Sequence, residues 1–587
     1  MHRAGRLAAL LASCFALLAL AYSIWLPLWE APDEVAHFQY IAELVTRGSL
    51  PRQEPGVLTE AHQPPLYYAL AAPLVGLADL KDPSGRVQLN PMFPWAGRGG
   101  NDKNIALHGS RETFPYRGWA LALRLARLLS VALGTASVGF TIAIARLAFP
   151  KHPWAAVAAG GFMGFCPQFL FMSGVVNNDN LLILAATVSV WQTLRILRRP
   201  TQTRLWAGLG VWLGIAILAK PHGAAVVGTC GIALLWHLRP VLGWRLLARR
   251  ALASALPVAG MTLWWFIRNQ VLYGDPLGIG VYESIYWMNL RATPLDLDAL
   301  WAMVSVQFQS FWAAFGWTTV PAPTWYYLLV GLLHVSALVG LIRAWRQGAF
   351  RALPARRRQA LGLLALGLVV QYAFVFYTIT RCNESCYQGR YLFPALGGLS
   401  VWLVAGLAGP DAKGSARAVA AAAIMLAAAL YLGAGVLRPA FATVPLPKWR
   451  LWLLPNHADV VFGKTFRLRG YEIEPDSSGR MTVTLYWEAL RTPGFDYSVF
   501  THVLDQEGER VAQADQLPGL DQDYPPTKWL VGDIVRDRHV MDLAALDAGE
   551  ECVLWIGLYD WSNGERLAAE ASPGQTVQEN ALVIPLR

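Results

Sequence analysis

Charge is scarce in this chain. Asp, Glu, Lys and Arg make up 15% of its 587 residues, against 55% hydrophobic residues. Soluble domains carry about a quarter charged residues, so this deficit, with a mean hydropathy of +0.35, excludes an ordinary soluble enzyme and indicates a polytopic membrane protein. Cysteine is also sparse. The six cysteines show no zinc-ligand spacing, which excludes a zinc framework. Cys14, Cys166 and Cys230 read as buried apolar fillers, whereas Cys382 and Cys386 share a loop and can pair if its turn is irregular. There is no Gly-rich phosphate loop, nucleophile elbow or nucleic-acid module, which argues against cytoplasmic nucleotide chemistry. The net charge of +10 sits in short clusters between apolar runs rather than on one face, the pattern of cytoplasmic loops rather than of a nucleic-acid surface. No internal repeat and no long disordered tract stands out.

What is present is a series of apolar runs, most near the ~20 residues a helix needs to cross a bilayer. They fall near 6–28, 119–148, 153–173, 180–197, 205–219, 222–237, 251–270, 326–345, 359–379, 391–408 and 418–437, about eleven crossings. Arg3 and Arg6, Arg195 to Arg204, Arg239 to Arg250, Arg343 to Arg358 and Lys413 to Arg417 all fall on one side by this count, the cytoplasmic one. The expectation is a multi-pass protein of the cytoplasmic (inner) membrane, N-terminus inside and C-terminal domain extracytoplasmic. The first run reads as an uncleaved anchor rather than a signal peptide. The stretch Gln63 to Leu77 is too short to cross and reads as an interfacial or re-entrant helix. After residue 438 the pattern changes to short alternating strands with Gly, Pro and Asp turns, an all-β sandwich of about seven to nine strands. The expected domains are thus 1–437, including a large first outer loop at 29–117, and 438–587.

The unusual polar residues collect on the outer side of this topology. Ala31-Pro-Asp-Glu-Val-Ala-His37 follows the first run. With Pro32 in the first turn of a helix, Asp33 and His37 fall at i, i+4 on one face and Glu34 about 100° away. His62-Gln-Pro-Pro65 and His108 to Glu112 lie in the same outer loop, and Arg124 and Arg127 open the second span. Asn177-Asn-Asp179, Lys220-Pro-His222, Arg268-Asn269 with Tyr273-Gly-Asp275, and Glu384 with Gln388-Gly-Arg-Tyr391 all face outward too. Ionisable groups at an apolar boundary are costly, and usually line a cavity or pair with one another. Arg124, Lys220, Arg268 and Arg390 around one acidic loop would make an anion site beside a base. A two-carboxylate hydrolase needs acid and base across the scissile bond, which the sequence neighbours Asp33 and Glu34 are poorly placed to supply.

These motifs resemble the GT-C superfamily of membrane glycosyltransferases: Pro32-Asp33-Glu34, Gln63-Pro-Pro-Leu-Tyr-Tyr68, Arg124-Leu-Ala-Arg127, Asn178-Asp179, Ala219-Lys220-Pro221, Trp265-Phe-Ile-Arg-Asn269 and Gln388-Gly-Arg-Tyr-Leu-Phe-Pro394. The chain is similar to protein O-mannosyltransferases and to the lipid A aminoarabinose transferase over most of residues 1–440. The resemblance implies transfer of a sugar from a polyprenyl-phosphate donor to an envelope acceptor hydroxyl, with lipid, glycan or protein as acceptor and no nucleic-acid partner. It further implies that Asp33 activates the acceptor with Glu34 as helper, and that Lys220, Arg268, Arg390 and Arg124 hold the donor phosphate. His37, His62, Gln63, Asn178, Asp179, Gln388 and Tyr391 are the substrate-binding candidates. Some members use a divalent metal ion and others do not, so the requirement is open, with Asp33, Glu34 and His37 the first candidate ligands, followed by His62 and His108. The insertion from Lys81 to Arg117 departs from the pattern and leaves sugar and acceptor open. A lipid-linked-glycan flippase or transporter, and a noncatalytic scaffold for the β-domain, are the rival readings.

Overall fold

The computed structural model describes residues 2–54, 57, 59–82, 86–90, 93, 103–285, 290–292, 294–383, 386–441, 445–475, 480–519, 524–542 and 552–586. The chain forms two units. One comprises residues 1–86, 91–105 and 121–441, the other 87–90, 106–120 and 442–587. The division falls after residue 441, where 1–437 and 438–587 were expected, and residues 87–90 and 106–120 of the first outer loop belong with the C-terminal unit.

The first unit is helical. Its helices are α1 (His2–Trp25), α2 (Glu34–Arg47), α3 (Leu66–Val75), α4 (Gly118–Ala148), α5 (Pro153–Gly164), α6 (Pro167–Ser173), α7 (Asp179–Arg198), α8 (Thr203–Ala219), α9 (Gly223–Tyr273), α10 (Ile279–Ile285), α11 (Leu297–Trp312), α12 (Thr324–Arg346), α13 (Ala349–Ala352), α14 (Ala355–Thr380), α15 (Leu396–Ala408) and α16 (Ser415–Leu432). Pro153 and Pro167 start α5 and α6, where a missing N–H costs nothing. A two-residue ribbon, β1 (Ala314–Phe315) with β2 (Val320–Pro321), follows α11.

Among the described residues eight helices are long and apolar enough to cross a membrane, or nine if α5 and α6, bent by 66°, make one span. The count of about eleven differs at two places. α8 is helical but has only 17 residues. The runs at 222–237 and 251–270 are joined in α9, whose 51 residues are continuous except at Gly243 (φ 70°, ψ 168°). Straight, such a helix would be ~76 Å long, more than twice a bilayer's ~30 Å hydrocarbon thickness. It does not run straight. Its first residue, Gly223, packs on Ala216 near the end of α8, while Arg250 meets Thr203 at the start of α8. Ser254 Oγ then donates to the Trp206 carbonyl at 2.7 Å, and Gly214 lies against Met261. The chain therefore travels from one end of α8 to the other and turns back at Gly243, whose positive φ suits glycine. The two runs are thus two helices that meet at a kink at Gly243.

The second unit is a sandwich of ten strands among the described residues: β3 (Asn456–Phe462), β4 (Phe466–Pro475), β5 (Arg480–Ala489), β6 (Ser498–Leu504), β7 (Arg510–Gln516), β8 (Ile534–Asp542), β9 (Cys552–Tyr559), β10 (Ala569–Ala571), β11 (Thr576–Gln578) and β12 (Ala581–Leu586). They form two five-stranded antiparallel sheets, ordered β10-β3-β4-β5-β8 and β11-β12-β9-β6-β7. The strands beyond the expected seven to nine come from the three-residue β10 and β11, too short to show a period. Phe462, Phe466, Leu468, Trp487, Trp529 and Leu554 fill the core, so these aromatics serve packing rather than a sugar face. Cys382 and Cys386 are bonded, with Cα atoms 5.8 Å apart. The bond lies just past the end of α14.

Candidate functional site

The turn between α1 and α2 sorts its two carboxylates. Asp33 is not inside a helix begun by Pro32. It is the residue before α2 and is left-handed (φ 63°, ψ 1°), a conformation that Asp tolerates better than most residues. Its carbonyl still accepts the first helical bond, from His37 N at 2.9 Å. The break sends Asp33 and Glu34 to different neighbourhoods.

Glu34 is fully buried and saturated. Oε1 accepts from Arg127 Nε at 2.8 Å and Val176 N at 2.9 Å; Oε2 accepts from Arg127 Nη2 at 2.6 Å and Trp29 N at 3.1 Å. Arg127 also donates to the carbonyls of Ser23, Leu26 and Pro27, capping the end of α1. The four acceptor positions of one carboxylate are thus spent on holding α1, α2, α4 and the turn before α7 together. No oxygen of Glu34 is left for a helper's role or a metal, so the expected place of Glu34 in the site is not supported by its surroundings.

Asp33 lies in a chain of ions. Its Oδ2 is 2.5 Å from Arg390 Nη2, Arg390 Nη1 is 3.8 Å from Asp179 Oδ2, and Asp179 Oδ1 is 2.6 Å from Lys220 Nζ. Arg390 is 2% exposed, and Lys220 and Asp179 are similarly buried, while the Asp33 side chain keeps 29% exposure. Burial raises the Asp33 carboxyl, but the Arg390 guanidinium, with His37 and Lys220, outweighs it and holds the group below the usual carboxylate range. Arg390 is not used up. Its Nε and Nη1 are buried with no hydrogen-bond acceptor among the described residues, a costly state for a guanidinium unless something else supplies oxygen. The Tyr391 ring lies 5.1 Å from Lys220 Nζ and 5.2 Å from the Arg390 guanidinium, and stacks on His222 at 5.6 Å. Gln388 precedes this segment, its carbonyl accepting from Tyr391 N at 3.4 Å.

The Gln-Pro-Pro loop and α3 make the other wall. His37 Nδ1 is 2.8 Å from the Tyr68 hydroxyl, and Tyr68 stacks on Tyr40 with centroids 3.9 Å apart. Asn178 Nδ2 donates to the Ala219 carbonyl at 2.9 Å and to Gln63 Oε1 at 3.3 Å, tying the loop to Lys220's own turn. His62 Nε2 is 3.4 Å from Glu60 Oε2. Burial pushes His37 down to about 3 and His62 down to about 4, so both rings are neutral at physiological pH. Glu60, which sequence reasoning passed over, is buried. Burial, then the nearby Asp33 charge, pushes its carboxyl up to about 8. The one available signal was its place two residues before His62. α3 itself, expected at the interface, has Tyr67 and Tyr68 fully buried, with the Tyr67 hydroxyl 2.7 Å from Ser130 Oγ and accepting from Asn177 N at 3.1 Å.

Two of the four expected phosphate cations are thus brought together. The other two are held elsewhere. Arg124 donates to the Ser23 carbonyl, beside Arg127. Arg268 donates to the Pro51 carbonyl at 2.7 Å and lies over the Trp265 ring. His108 is part of the second unit. Its carbonyl is 2.9 Å from the Tyr524 hydroxyl, which also meets Asp533, and its Nδ1 is 2.8 Å from Glu112. That packing is what draws residues 106–120 into the β unit. Glu384 lies outside the described residues. Among the described residues no three His, Cys, Asp or Glu side chains are placed to hold a metal ion. Asp33, Glu34 and His37 turn to Arg390, Arg127 and Tyr68 respectively, and the arrangement does not fit a metal centre.

Comparison with known proteins gives the following. Residues 121–265 match the family model "Dolichyl-phosphate-mannose-protein mannosyltransferase". Comparison with curated proteins finds no match. Among solved structures, ArnT from Cupriavidus metallidurans bound to undecaprenyl phosphate is 14% identical, covering 74% of this chain and 74% of that one, with a TM-score of 0.42. The Saccharomyces cerevisiae protein O-mannosyltransferase Pmt1-Pmt2 complex bound to the sugar donor is 18% identical, covering 46% of this chain and 34% of that one, with a TM-score of 0.32. The oligosaccharyltransferase AglB from Archaeoglobus fulgidus, with an inhibitory peptide and a dolichol-phosphate, is 13% identical, covering 74% and 56%, with a TM-score of 0.42. At these identities no residue role passes to this chain.

Proposed function

We propose that this protein is a membrane glycosyltransferase that moves a sugar from a polyprenyl-phosphate donor to an acceptor hydroxyl on the outer face of the cytoplasmic membrane. The observation that carries the reading is Arg390, buried near Lys220 with Nε and Nη1 lacking a hydrogen-bond acceptor among the described residues. A phosphate oxygen is an acceptor of the right charge for both. In a direct displacement the acceptor oxygen attacks the anomeric carbon, the bond from that carbon to the phosphate oxygen breaks, and the phosphate leaves with the electron pair. Lys220 and Arg390 then balance the charge that builds on it, so no general acid is needed. The acceptor's proton goes to a carboxylate. Asp33 is the base in this reading, because its carboxylate is the exposed end of the ion chain.

One observation favours a second assignment of the base alone. A base works best with a proton affinity near the working pH, and Glu60, pushed up to about 8, meets that condition better than Asp33, which Arg390 holds low. The cytoplasmic side for the arginine-rich loops, and an extracytoplasmic β unit, complete the proposal.

The test is sugar transfer by purified protein in proteoliposomes, with labelled polyprenyl-phosphate sugars and an envelope extract as acceptor. Parent, Asp33→Asn and Glu60→Gln proteins are compared. Loss of transfer with donor binding retained identifies the base. Donor binding with no transfer by the parent to any acceptor, together with vectorial movement of the lipid, would favour a flippase and sink the transferase.

A further inference from the structure

The β unit carries one feature that neither its core nor the proposed chemistry uses. Residues Lys448–Leu453 form a short 3₁₀-helix, in which residues three apart share a face. Leu451, with Leu454 just beyond the helix, faces inward, packing with Leu446 on Tyr486 and Ile534, and Leu446 N donates to the Ile534 carbonyl at 2.6 Å. The helix is therefore pinned to the sheet. Trp449 and Trp452, three apart, point out with Leu453: Trp452 is 82% exposed, Leu453 65% and Trp449 49%. Val531, also exposed, lines a depression with Lys448 and Arg111, and Arg450 lies over the Trp449 ring. Two acids lie near: Glu488 beside Lys448 and Arg469, and Glu472 hydrogen-bonded to the Tyr486 side chain, which Arg450 also faces. An apolar patch with aromatic tips and a basic rim is expensive to leave in water.

We propose that Lys448–Leu453 is a lipid-docking element, which seats Trp449, Trp452 and Leu453 in the headgroup region of a bilayer containing anionic lipid. Tryptophan prefers that layer because its ring is apolar and its N–H can still meet water, and Lys448, Arg450 and Arg111 complement anionic headgroups. Chain length favours lipid over any remote partner. The last membrane-competent helix ends at Ala440, and the eight residues from there to Lys448 reach at most ~28 Å. The element is thus tethered within reach of the surface it fits.

The full-length protein in liposomes containing anionic lipid tests this, with a nitroxide placed by Trp452→Cys and, separately, by Trp449→Cys. Each is compared with Glu507→Cys, an exposed turn position on the other sheet. Accessibility to oxygen and to a water-soluble nickel chelate is read by power saturation. The expected result is several-fold lower nickel accessibility at 452 and 449 than at 507, with oxygen accessibility raised, and a loss of that difference when anionic lipid is replaced by zwitterionic lipid at high salt. Equal nickel accessibility at all three sites overturns the proposal. Low accessibility to both reagents at 452 and 449 also overturns it, since that marks burial against a second copy or another protein.

Discussion

Asp33 and Glu34 are neighbours in sequence and both pair with arginine, yet they do opposite things. Glu34 and Arg127 fill every acceptor position of the carboxylate and three backbone carbonyls, so the pair is closed to any ligand. Asp33 keeps a partly exposed side chain, and Arg390 keeps two guanidinium nitrogens without a hydrogen-bond acceptor among the described residues. A buried ion pair is thus structural when its hydrogen bonds are complete, and a candidate for chemistry when they are not. The β unit supplies a third case. His539 and Asp537 are buried in β8 at 2.7 Å, the other ring nitrogen of His539 facing the Ala514 carbonyl at 3.0 Å, with Trp487 and Gln516 also donating to Asp537. This pair resembles Glu34 and Arg127 in being closed.

The comparison breaks most sharply on activity. Asp33→Asn should cut sugar transfer by roughly 10²–10⁴-fold while the protein elutes monodisperse and keeps its melting temperature, as initial rates in proteoliposomes will show. A fully active Asp33→Asn protein removes Asp33 from the chemistry. Glu34→Gln should do the reverse, costing roughly 3–5 kcal/mol of stability in detergent unfolding while the folded fraction transfers sugar at the parent rate. If instead stability is kept and transfer is lost, the distinction between the two carboxylates fails.

The sandwich pair gives a smaller effect. His539→Gln leaves Asp537 without its charged partner and should cost about 1–3 kcal/mol. Burial opposes the charged ring, but Asp537 and the Ala514 carbonyl outweigh it and raise His539 above its ordinary value. Asp515 adds to the same side. Its contribution is therefore complete below about 6.5 and is lost as pH climbs through the raised folded value. Melting of the β unit followed from pH 6 to 9 should decline in the parent and flatten in His539→Gln. The smallest effect is on the pH profile of transfer. With Glu60 as base, the parent rate rises about tenfold per pH unit on the acid side of its value near 8, and Glu60→Gln abolishes that limb. An unchanged limb in Glu60→Gln returns the base to Asp33.

Much of the fold was legible because its signals are local. The apolar runs from 6–28 to 418–437 became helices, with the run at 153–173 broken into α5 and α6, and the alternation after residue 438 became strands. What misled was length and context. Gly243 gave no warning that the segment joining two runs would itself be helical up to a kink, and three-residue strands have no period to read. The site was legible by residue type and side, less so by contact. Lys220, Arg390, Asp179, Tyr391 and Asp33 meet. Arg124 and Arg268 have the same character in sequence, but find carbonyls of Ser23 and Pro51 instead. His108 went to the β unit because its partner, Tyr524, lies 416 residues away, and Glu60 was missed because its surroundings, not its motif, distinguish it.

The sequence by itself determined that the chain is a multi-pass helical membrane protein with an all-β end. Hydropathy summed over a window sets the cost of leaving a segment in water, and that sum needs no partner. Only the tertiary structure decided which of two adjacent carboxylates is closed and which is open. That choice depends on a left-handed turn at Asp33 and on arginines 93 and 357 residues distant, and hydrogen-bond saturation is a property of where those groups meet.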